Sequence, residues 1–349
     1  MILSRNDLYV SQSNTIILSE DTSLFSYGVE CITETDNQLR TMLLDIYKDS
    51  IISEGVLDKL KNFDFIKIIK YIIKLFKDML DKLIQRFVYL MTQLNYSDRS
   101  ITKRKKEIEN YDGTVEINFE HYNYTNLDAN IPDPNLFLNF KEEYEITMED
   151  LKNIGKSSDT KEEFIRKINE YNSKIELEIS NGYYNKIRKQ IVDSSGMIYD
   201  NDVVTVENYA TKLFACFRHG VNNPITGKIT LSNDMIKDSL HRFINSKDII
   251  HKVEKQRRKI QDVCDKVVSN LEKKTAKDFL STDGKLDYDI EYAVNNVLKT
   301  KAGQLTENCN IYILAFSAKL DAIKEAVITD KKILYKVLEF VMIDGGDNK

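Results

Sequence analysis

Residues 56–94 read VLDKLKNFDFIKIIKYIIKLFKDMLDKLIQRFVYLMTQL, with lysines recurring among apolar residues. Lys67, Lys70, Lys74 and Lys77 recur at spacings of three, four and three, which keeps them on one stripe of a helix. Apolar residues fill more than half of the remaining circumference. The pattern predicts one long basic amphipathic helix over Val56–Leu94, whose apolar face must be buried.

The charges in this helix exclude a membrane span, because a span needs roughly 20 predominantly apolar residues in a row. Lying on an anionic membrane surface is an alternative, since lysines on one face and Phe, Leu and Ile on the other are typical of interfacial helices. The simpler interpretation, which we favour, is that the apolar face packs on other helices of the chain while the lysines are solvated.

Composition favours a mainly α protein. The chain has 349 residues, 42% of them hydrophobic and 30% charged, with only three prolines and twelve glycines. So few prolines and glycines provide few turn-forming residues for a fold of many strands. We therefore predict an elongated helical bundle with long amphipathic helices. The first apolar run, Thr15–Leu18, is too short for a signal peptide, so we expect a protein that is made and stays in a cytoplasm, or in a particle assembled there.

Charge is segregated along the chain. Residues 1–55 carry nine acidic and three basic residues, whereas residues 56–106 carry thirteen Lys or Arg against five Asp. We interpret 1–55 as an acidic N-terminal segment, and 56–125 as a basic amphipathic helical unit with a short strand. A second basic run, Lys252–Lys259, lies in a later helix.

These basic runs are candidates for contact with a phosphate backbone or another surface, because each Lys or Arg contact adds salt-dependent affinity. The alternative is a solvated helix face, since no base-stacking aromatics are interleaved with the lysines. The candidate contact residues are Lys67, Lys70, Lys74, Lys77, Lys103, Arg104, Lys105, Lys106, Arg257 and Arg258.

Prolines, glycines and changes in the residue pattern predict further elements along the chain. Alternating apolar residues over 115–124 predict a minor β element, a half-buried strand. Residues 126–140 contain Pro132 and Pro134 and form a connector, the predicted boundary before a C-terminal helical bundle over 141–349. The helices expected around them are 37–50, 100–110, 147–153, 160–171, 172–190, 206–218, 234–245, 247–277, 288–299, 306–325 and 329–342, with a loop over 220–227.

No catalytic, cofactor or metal signature is complete. The four cysteines lie 45 residues or more apart, and the four histidines are equally scattered, so neither type forms a local metal-binding pair. Gly155–Ser157 lacks the upstream glycine of a phosphate-binding loop. Gly284 directly follows Asp283 instead of taking the glycine position of a calcium loop. We expect a protein that is not an enzyme and has no cofactor.

Five segments, in the same order, resemble a virion-associated protein family of large tailed bacteriophages of Gram-positive bacteria. They are FDFIKIIKYIIKLFKDMLDKLIQRF (63–87), RKKEIENYDGTVEINFEHYNYTNLD (104–128), YATKLFACFRHG (209–220), ITLSNDMIKDSL (229–240) and YILAFSAKLDAIKEAVITDKKILYKVL (312–338). The resemblance implies a structural or capsid-associated protein without an assigned activity. It also implies a location in the virion, assembled in the host cytoplasm.

From this resemblance we expect a non-enzymatic virion protein, packaged in the head, that contacts other virion proteins and, non-specifically, phage DNA. One alternative is a protein ejected with the DNA that acts on the host membrane through residues 56–94. Another is a tail or baseplate element. In a protein packaged in the head, the acidic segment 1–55 would have a targeting or propeptide role. Ile52–Glu54 resembles the apolar-x-Glu site used by some phage prohead proteases, which implies maturation cleavage between Glu54 and Gly55. Leu18–Glu20, Ile32–Glu34 and Leu305–Glu307 match the same short pattern.

Overall fold

The computed structural model describes residues 8–10, 16–18, 23–51, 65–96, 99–122, 140–184, 186, 225–271 and 288–344. The elements are β1 (Leu8–Val10), β2 (Ile16–Leu18), α1 (Leu24–Ile51), α2 (Phe65–Tyr96), α3 (Arg99–Lys103), α4 (Lys105–Glu109), β3 (Val115–Tyr122), α5 (Phe140–Lys156), α6 (Lys161–Ser180), β4 (Ile225–Leu231), α7 (Asn233–Leu271) and α8 (Tyr288–Asp344). The described part of the chain is mainly helical, which confirms the predicted fold class.

The C-terminal helix, α8, forms the centre of the bundle. At 57 residues it is about 85 Å long, given a rise of about 1.5 Å per residue. Between Ile311 and Lys331 nearly every side chain is buried. A helix that is covered on all sides has no single apolar stripe, so its neighbours must surround it. Alanines at 315, 318, 322 and 326 keep the helix narrow at this level.

Helices α1, α2 and α7 pack against the C-terminal half of α8. Helix α2 runs parallel to α8, because the Phe76 ring lies edge-on to Tyr312 at 5.9 Å and, further along both helices, Lys331 Nζ donates to the Leu94 carbonyl at 3.5 Å. Helices α1 and α7 run antiparallel to both. The contacts that fix their direction are Ser23–Asp321 and Gly28–Ser317 for α1, and Lys77–Asp265 and Arg257–Asp81 for α7.

The basic amphipathic helix is confirmed in this bundle as α2. It begins at Phe65, and residues 56–64 of the predicted helix lie outside the described residues. Its apolar face is almost completely buried, as Ile69, Phe76, Leu83 and Phe87 illustrate. The apolar stripe is thus used within the chain itself.

The N-terminal half of α8 packs on α6, and α5 packs against α6 and α7. Lys161 pairs with Asp289 at 2.6 Å, and Thr300 Oγ1 donates to Asn172 Oδ1 at 2.9 Å, so α6 runs parallel to α8. Thr160 is the N-cap of α6, and its side chain accepts a hydrogen bond from the Glu163 amide at 3.2 Å.

The predicted strand over 115–124 is confirmed as β3, and its partner corrects the sequence analysis. Strand β3 pairs antiparallel with β4, with Val115 opposite Leu231 and Ile117 opposite Ile229. Part of β4 falls in the predicted 220–227 loop. Gly227, at a φ of 104°, lies beside an irregularity in the register. Because glycine has no side chain, it interrupts the alternation of apolar and polar residues by which a strand is recognised in the sequence.

Several predicted helices are fused in the structure. The helices expected at 234–245 and 247–277 are the single α7, and those at 288–299, 306–325 and 329–342 are the single α8. Polar positions that suggested breaks, such as Ser246 and Gln304, are buried inside continuous helices. Conversely, the helix expected at 100–110 is divided into α3 and α4.

The proposed 126–140 connector lies mostly outside the described residues, as does the 206–218 helix, so both stay predictions. Core residues from both sides of that connector, among them Phe76 and Phe316, belong to one hydrophobic cluster. No described helix is both long enough and apolar enough to cross a bilayer.

Candidate nucleic-acid interface

The seam between α2 and α7 brings together the two basic runs that the sequence keeps about 180 positions apart. Lys77 Nζ lies 2.8 Å from Asp265 Oδ1, and Arg257 Nε lies 2.7 Å from Asp81 Oδ1. Gln261 Nε2 adds a hydrogen bond to the same Asp81 oxygen at 3.1 Å. Lys77 and Asp81 are four residues apart on α2, so they face α7 from one stripe.

The same α2 stripe continues past the seam as Lys74, Lys70 and Lys67. Because α7 is antiparallel to α2 and ends at Leu271, these three lysines lie near the C-terminal turns of α7. Cations are stabilised there by the partial negative charge of the helix end. The Lys67 and Lys74 side chains are exposed, and Lys70 is half-buried.

On α7, a parallel row of charges borders the seam. Lys255, Arg258, Asp262 and Lys266 follow each other at helical spacing, next to the row that contains Arg257 and Gln261, and all four are exposed. Lys259 is also exposed, one row further out. We call the exposed cations of this face the basic band: Lys67, Lys70, Lys74, Lys255, Arg258, Lys259 and Lys266.

Four members of the basic band carry positive charge with no acidic partner. Within the described ranges, Lys74, Lys255, Arg258 and Lys259 form no ion pair or hydrogen bond through their side chains. Lys77 and Arg257, by contrast, are engaged across the seam. The structure therefore separates residues that hold two helices together from residues that present charge to solvent.

The cluster at Lys103–Lys106 is placed elsewhere, around the junction of α3 and α4. Arg104 lies 3.6 Å from Glu107 and Lys105 lies 3.5 Å from Glu109, while Lys103 and Lys106 are exposed. The cluster follows the end of α2 at Tyr96, about 33 Å along that helix from Lys74, while α4 packs against α7. The cluster thus lies apart from the α2 lysines of the basic band. Glu54 and Gly55 lie outside the described residues.

Sequence reasoning missed a set of charged side chains buried along α8. Asp321 accepts a hydrogen bond from Ser23 Oγ at 2.9 Å and pairs with Lys324 at 2.6 Å, which ties the start of α1 to the middle of α8. About two and a half turns after Asp321, Asp330 is bound by Arg242 of α7. No periodicity signals such residues, because the elements that bury them are distant in sequence.

Lys319 differs from the other buried charged residues of α8 because no described residue provides a counter-charge for it. Its side chain is buried, and among the described residues none bonds to its ammonium group. Burial disfavours the charged form and lowers the pKa of Lys319 to about 8. The charged form of Lys319 therefore destabilises the folded bundle at neutral pH.

The described cysteines are chemically quiet. Cys31, Cys264 and Cys309 are buried free thiols, and burial raises the pKa of Cys264 to about 12. Such thiols are poor nucleophiles at neutral pH, because the thiolate is the reactive form. Among the described residues, no group of three His, Cys, Asp or Glu side chains is arranged to hold a metal ion.

Comparisons with known proteins add no relative to this picture: no family model, curated protein or solved structure matches the chain at a significant level. The function is therefore inferred from the bundle and from its surface charges. Two features matter most: the buried apolar face of α2, and the four cations of the basic band that pair with no acidic side chain among the described residues.

Proposed function

We propose that the chain is a non-enzymatic structural protein of a bacteriophage virion, packaged in the head, that contacts the genome or the shell through its basic helices. The observation that supports a structural role best is the burial of the apolar face of α2 against α1, α7 and α8, with cations left on the outside. A body of this kind is suited to holding a shape and presenting charge.

Buried charged contacts add to this argument because they fix how the helices align. The Ser23–Asp321 and Arg242–Asp330 contacts each join α8 to a different helix. An ion pair in a low-dielectric core tolerates little displacement, since each charge loses its partner if one helix slides by a turn. We infer that the bundle has one well-defined packing, as a repeated structural part requires.

The same burial counts against the membrane alternative. Transfer of α2 to a lipid surface would take its Ile, Leu and Phe side chains out of the core, and each buried side chain of this size stabilises the fold by about 1.5–3 kcal/mol. Flotation with anionic liposomes separates the two functions. We expect the folded protein to stay in the protein-only fraction, and co-flotation would favour the membrane function.

Quantitative mass spectrometry of purified phage particles, before and after release of the DNA, tests the proposed location. We expect the protein in full particles and its loss together with the genome. Retention in emptied particles would assign it to the shell or the tail, and tail parts would occur in multiples of three or six copies. Complete absence from particles would overturn the virion proposal.

A further inference from the structure

We propose that the basic band along α2 and α7 is the surface that binds the phosphate backbone of duplex DNA. This inference rests on the proposed function, since it names the part of the molecule that contacts the genome. The two helices contribute Lys67, Lys70 and Lys74 from one side of the seam and Lys255, Arg258, Lys259 and Lys266 from the other.

Local charge distinguishes this face from the rest of an acidic chain. The facing segments, 65–81 of α2 and 251–270 of α7, hold ten Lys or Arg against five Asp or Glu, a net charge of +5, whereas the whole chain carries −5. Two of the five acids, Asp81 and Asp265, are already paired across the seam. What faces solvent is therefore a concentrated positive surface that attracts polyanions.

The shape of the band favours a long, regularly charged ligand. Lys255 and Lys266 lie about 16 Å apart along α7, and Lys67 and Lys74 add about 10 Å on α2, given a rise of about 1.5 Å per residue. Duplex DNA carries one negative charge per roughly 1.7 Å of its axis, so a segment of this length offers several phosphates to the band. A small anion would engage only one or two of these cations.

The helix–helix pairs at the seam give the band its rigidity. Because Lys77 and Arg257 hold α2 and α7 in register, the exposed cations keep fixed spacings before DNA arrives. Less side-chain and backbone freedom is then lost on binding. We assign Lys77 and Arg257 to positioning, and Lys74, Lys255, Arg258 and Lys259 to phosphate contact.

The band is a better candidate than the Lys103–Lys106 cluster. Two of the four cations of that cluster already have glutamate neighbours on the same short helical stretch, which reduces the positive potential there. Its four cations come from one short segment, whereas the band draws on two long helices.

Fluorescence anisotropy with a labelled mixed-sequence duplex of about 30 base pairs, over a salt range of about 50 to 200 mM, tests the assignment on the full chain. The test variant is K74E/K255E/R258E/K259E. The matched control, K152E/K156E/K174E/K186E, changes the net charge equally at exposed lysines of α5, of α6 and just beyond α6, none of which belongs to the basic band. Circular dichroism verifies that both fold, and a four-glutamine version of the test variant replaces it if the reversal unfolds the protein.

Wild-type binding should weaken with salt, with a slope of about −0.9 per phosphate contact, and each lost contact should cost about tenfold in affinity near 0.1 M salt. We expect the test variant to lose about 100-fold or more and to flatten the slope by about three. The control should stay within about tenfold of wild type, because it leaves every cation of the basic band in place.

Equal losses in the test and control variants would overturn the assignment, and so would a wild-type protein that fails to bind at the lowest salt. A K103E/R104E/K105E/K106E variant that alone abolishes binding would transfer the contact to that cluster and also overturn it. These outcomes are independent of the proposed function. Presence in particles without DNA affinity would refute only the band, and DNA affinity with absence from particles would refute only the virion location.

Discussion

Arg242 of α7 holds Asp330 of α8 through a two-pronged contact in the centre of the bundle. The guanidinium donates from Nε to Oδ2 at 3.0 Å and from Nη2 to Oδ1 at 2.5 Å, and Nη2 also reaches Ser239 Oγ at 3.0 Å. The Asp330 carboxylate is almost fully buried, and burial raises the pKa of Asp330 to about 6 although Arg242 and Ser239 oppose the shift. The contact therefore aligns two helices and adds little net stability of its own.

Removing one partner of this pair should destabilise the bundle strongly. Asp330→Ala leaves the Arg242 guanidinium without its partner where only 17% of that side chain reaches solvent, and we expect a loss of about 2–4 kcal/mol in the free energy of unfolding. Replacing both residues with Met and Leu should restore much of the loss, because well-packed apolar residues substitute for buried ion pairs. Urea unfolding followed by circular dichroism measures both effects.

An exposed pair on the same helix provides the control. Lys336 and Glu339 lie 2.5 Å apart but are about half exposed, so Glu339→Ala should cost no more than about 0.5 kcal/mol. If Asp330→Ala proved as mild as Glu339→Ala, the register role of the buried pair would be wrong.

Lys319 should lower stability at neutral pH and do so less as pH rises. Its pKa falls from 10.5 when unfolded to about 8 when folded, so between these values the unfolded state holds the proton more tightly. The free energy of unfolding then rises with pH from about 8 to about 10.5. At pH 7 the penalty is at most about 3 kcal/mol. Lys319→Met should therefore stabilise the protein at pH 7, with a gain that shrinks above pH 8.

The measurement compares urea unfolding of wild type, Lys319→Met and Lys332→Met at pH 7 and pH 10. Lys332 is an exposed lysine on the same helix, so its replacement should change stability little at either pH. A Lys319→Met protein that is less stable than wild type at pH 7 would show that the ammonium group has a partner in the fold.

Helices α1 and α8 approach closely at Gly28. A Cβ atom at this position would lie 2.7 Å from Ser317 Oγ and 2.8 Å from Ser317 Cβ, closer than such atoms pack. Gly28→Ala should therefore cost about 1–3 kcal/mol, despite the higher helix propensity of alanine. Gly28→Ala combined with Ser317→Gly should recover part of the loss.

Gly303→Ala tests the effect of helix propensity alone and is the control for Gly28→Ala. This glycine is exposed on α8, and a Cβ atom there would meet nothing within 4 Å. We expect thermal unfolding to show a gain of up to about 1 kcal/mol for this variant. Opposite effects of the two substitutions would locate the close approach at Gly28, and a stabilising Gly28→Ala would refute it.

The sequence predicts well the features that depend on local periodicity. The lysine stripe and apolar face of α2 identify that helix, and alternation at Val115 and Ile117 identifies β3. Features that depend on distant neighbours are not predictable in this way. Ser246 suggests a break in α7, yet its hydroxyl donates to the Phe243 carbonyl at 2.7 Å within the continuous helix.

The candidate site shows the same limit. The basic residues can be selected from the sequence, but nothing in it pairs Lys77 with Asp265, which are 188 positions apart. Only the antiparallel packing of α2 and α7 reveals which cations join the helices and which face solvent. Lys319 is missed for a similar reason, because a lysine in a charged helix normally indicates a solvated face.

Helix α1 lies in the proposed N-terminal propeptide and is also part of the bundle. Leu24 and Cys31 are buried, and Ser23 bonds to Asp321. If the chain is cut between Glu54 and Gly55, the released segment should stay bound, because its departure would expose the α1-facing side of α8. Removal by maturation would then require unfolding of α1 as well as cleavage.

A specific protease site inserted between Glu54 and Gly55 tests this on the purified protein. After cutting, we expect size-exclusion chromatography to show the 1–54 fragment eluting with the body of the chain. The same cut in a Gly28→Leu variant should release the fragment, since the larger side chain collides with Ser317 of α8. Release of the fragment from the protein that keeps Gly28 would support a detachable propeptide. N-terminal sequencing of protein from particles should then begin at Gly55.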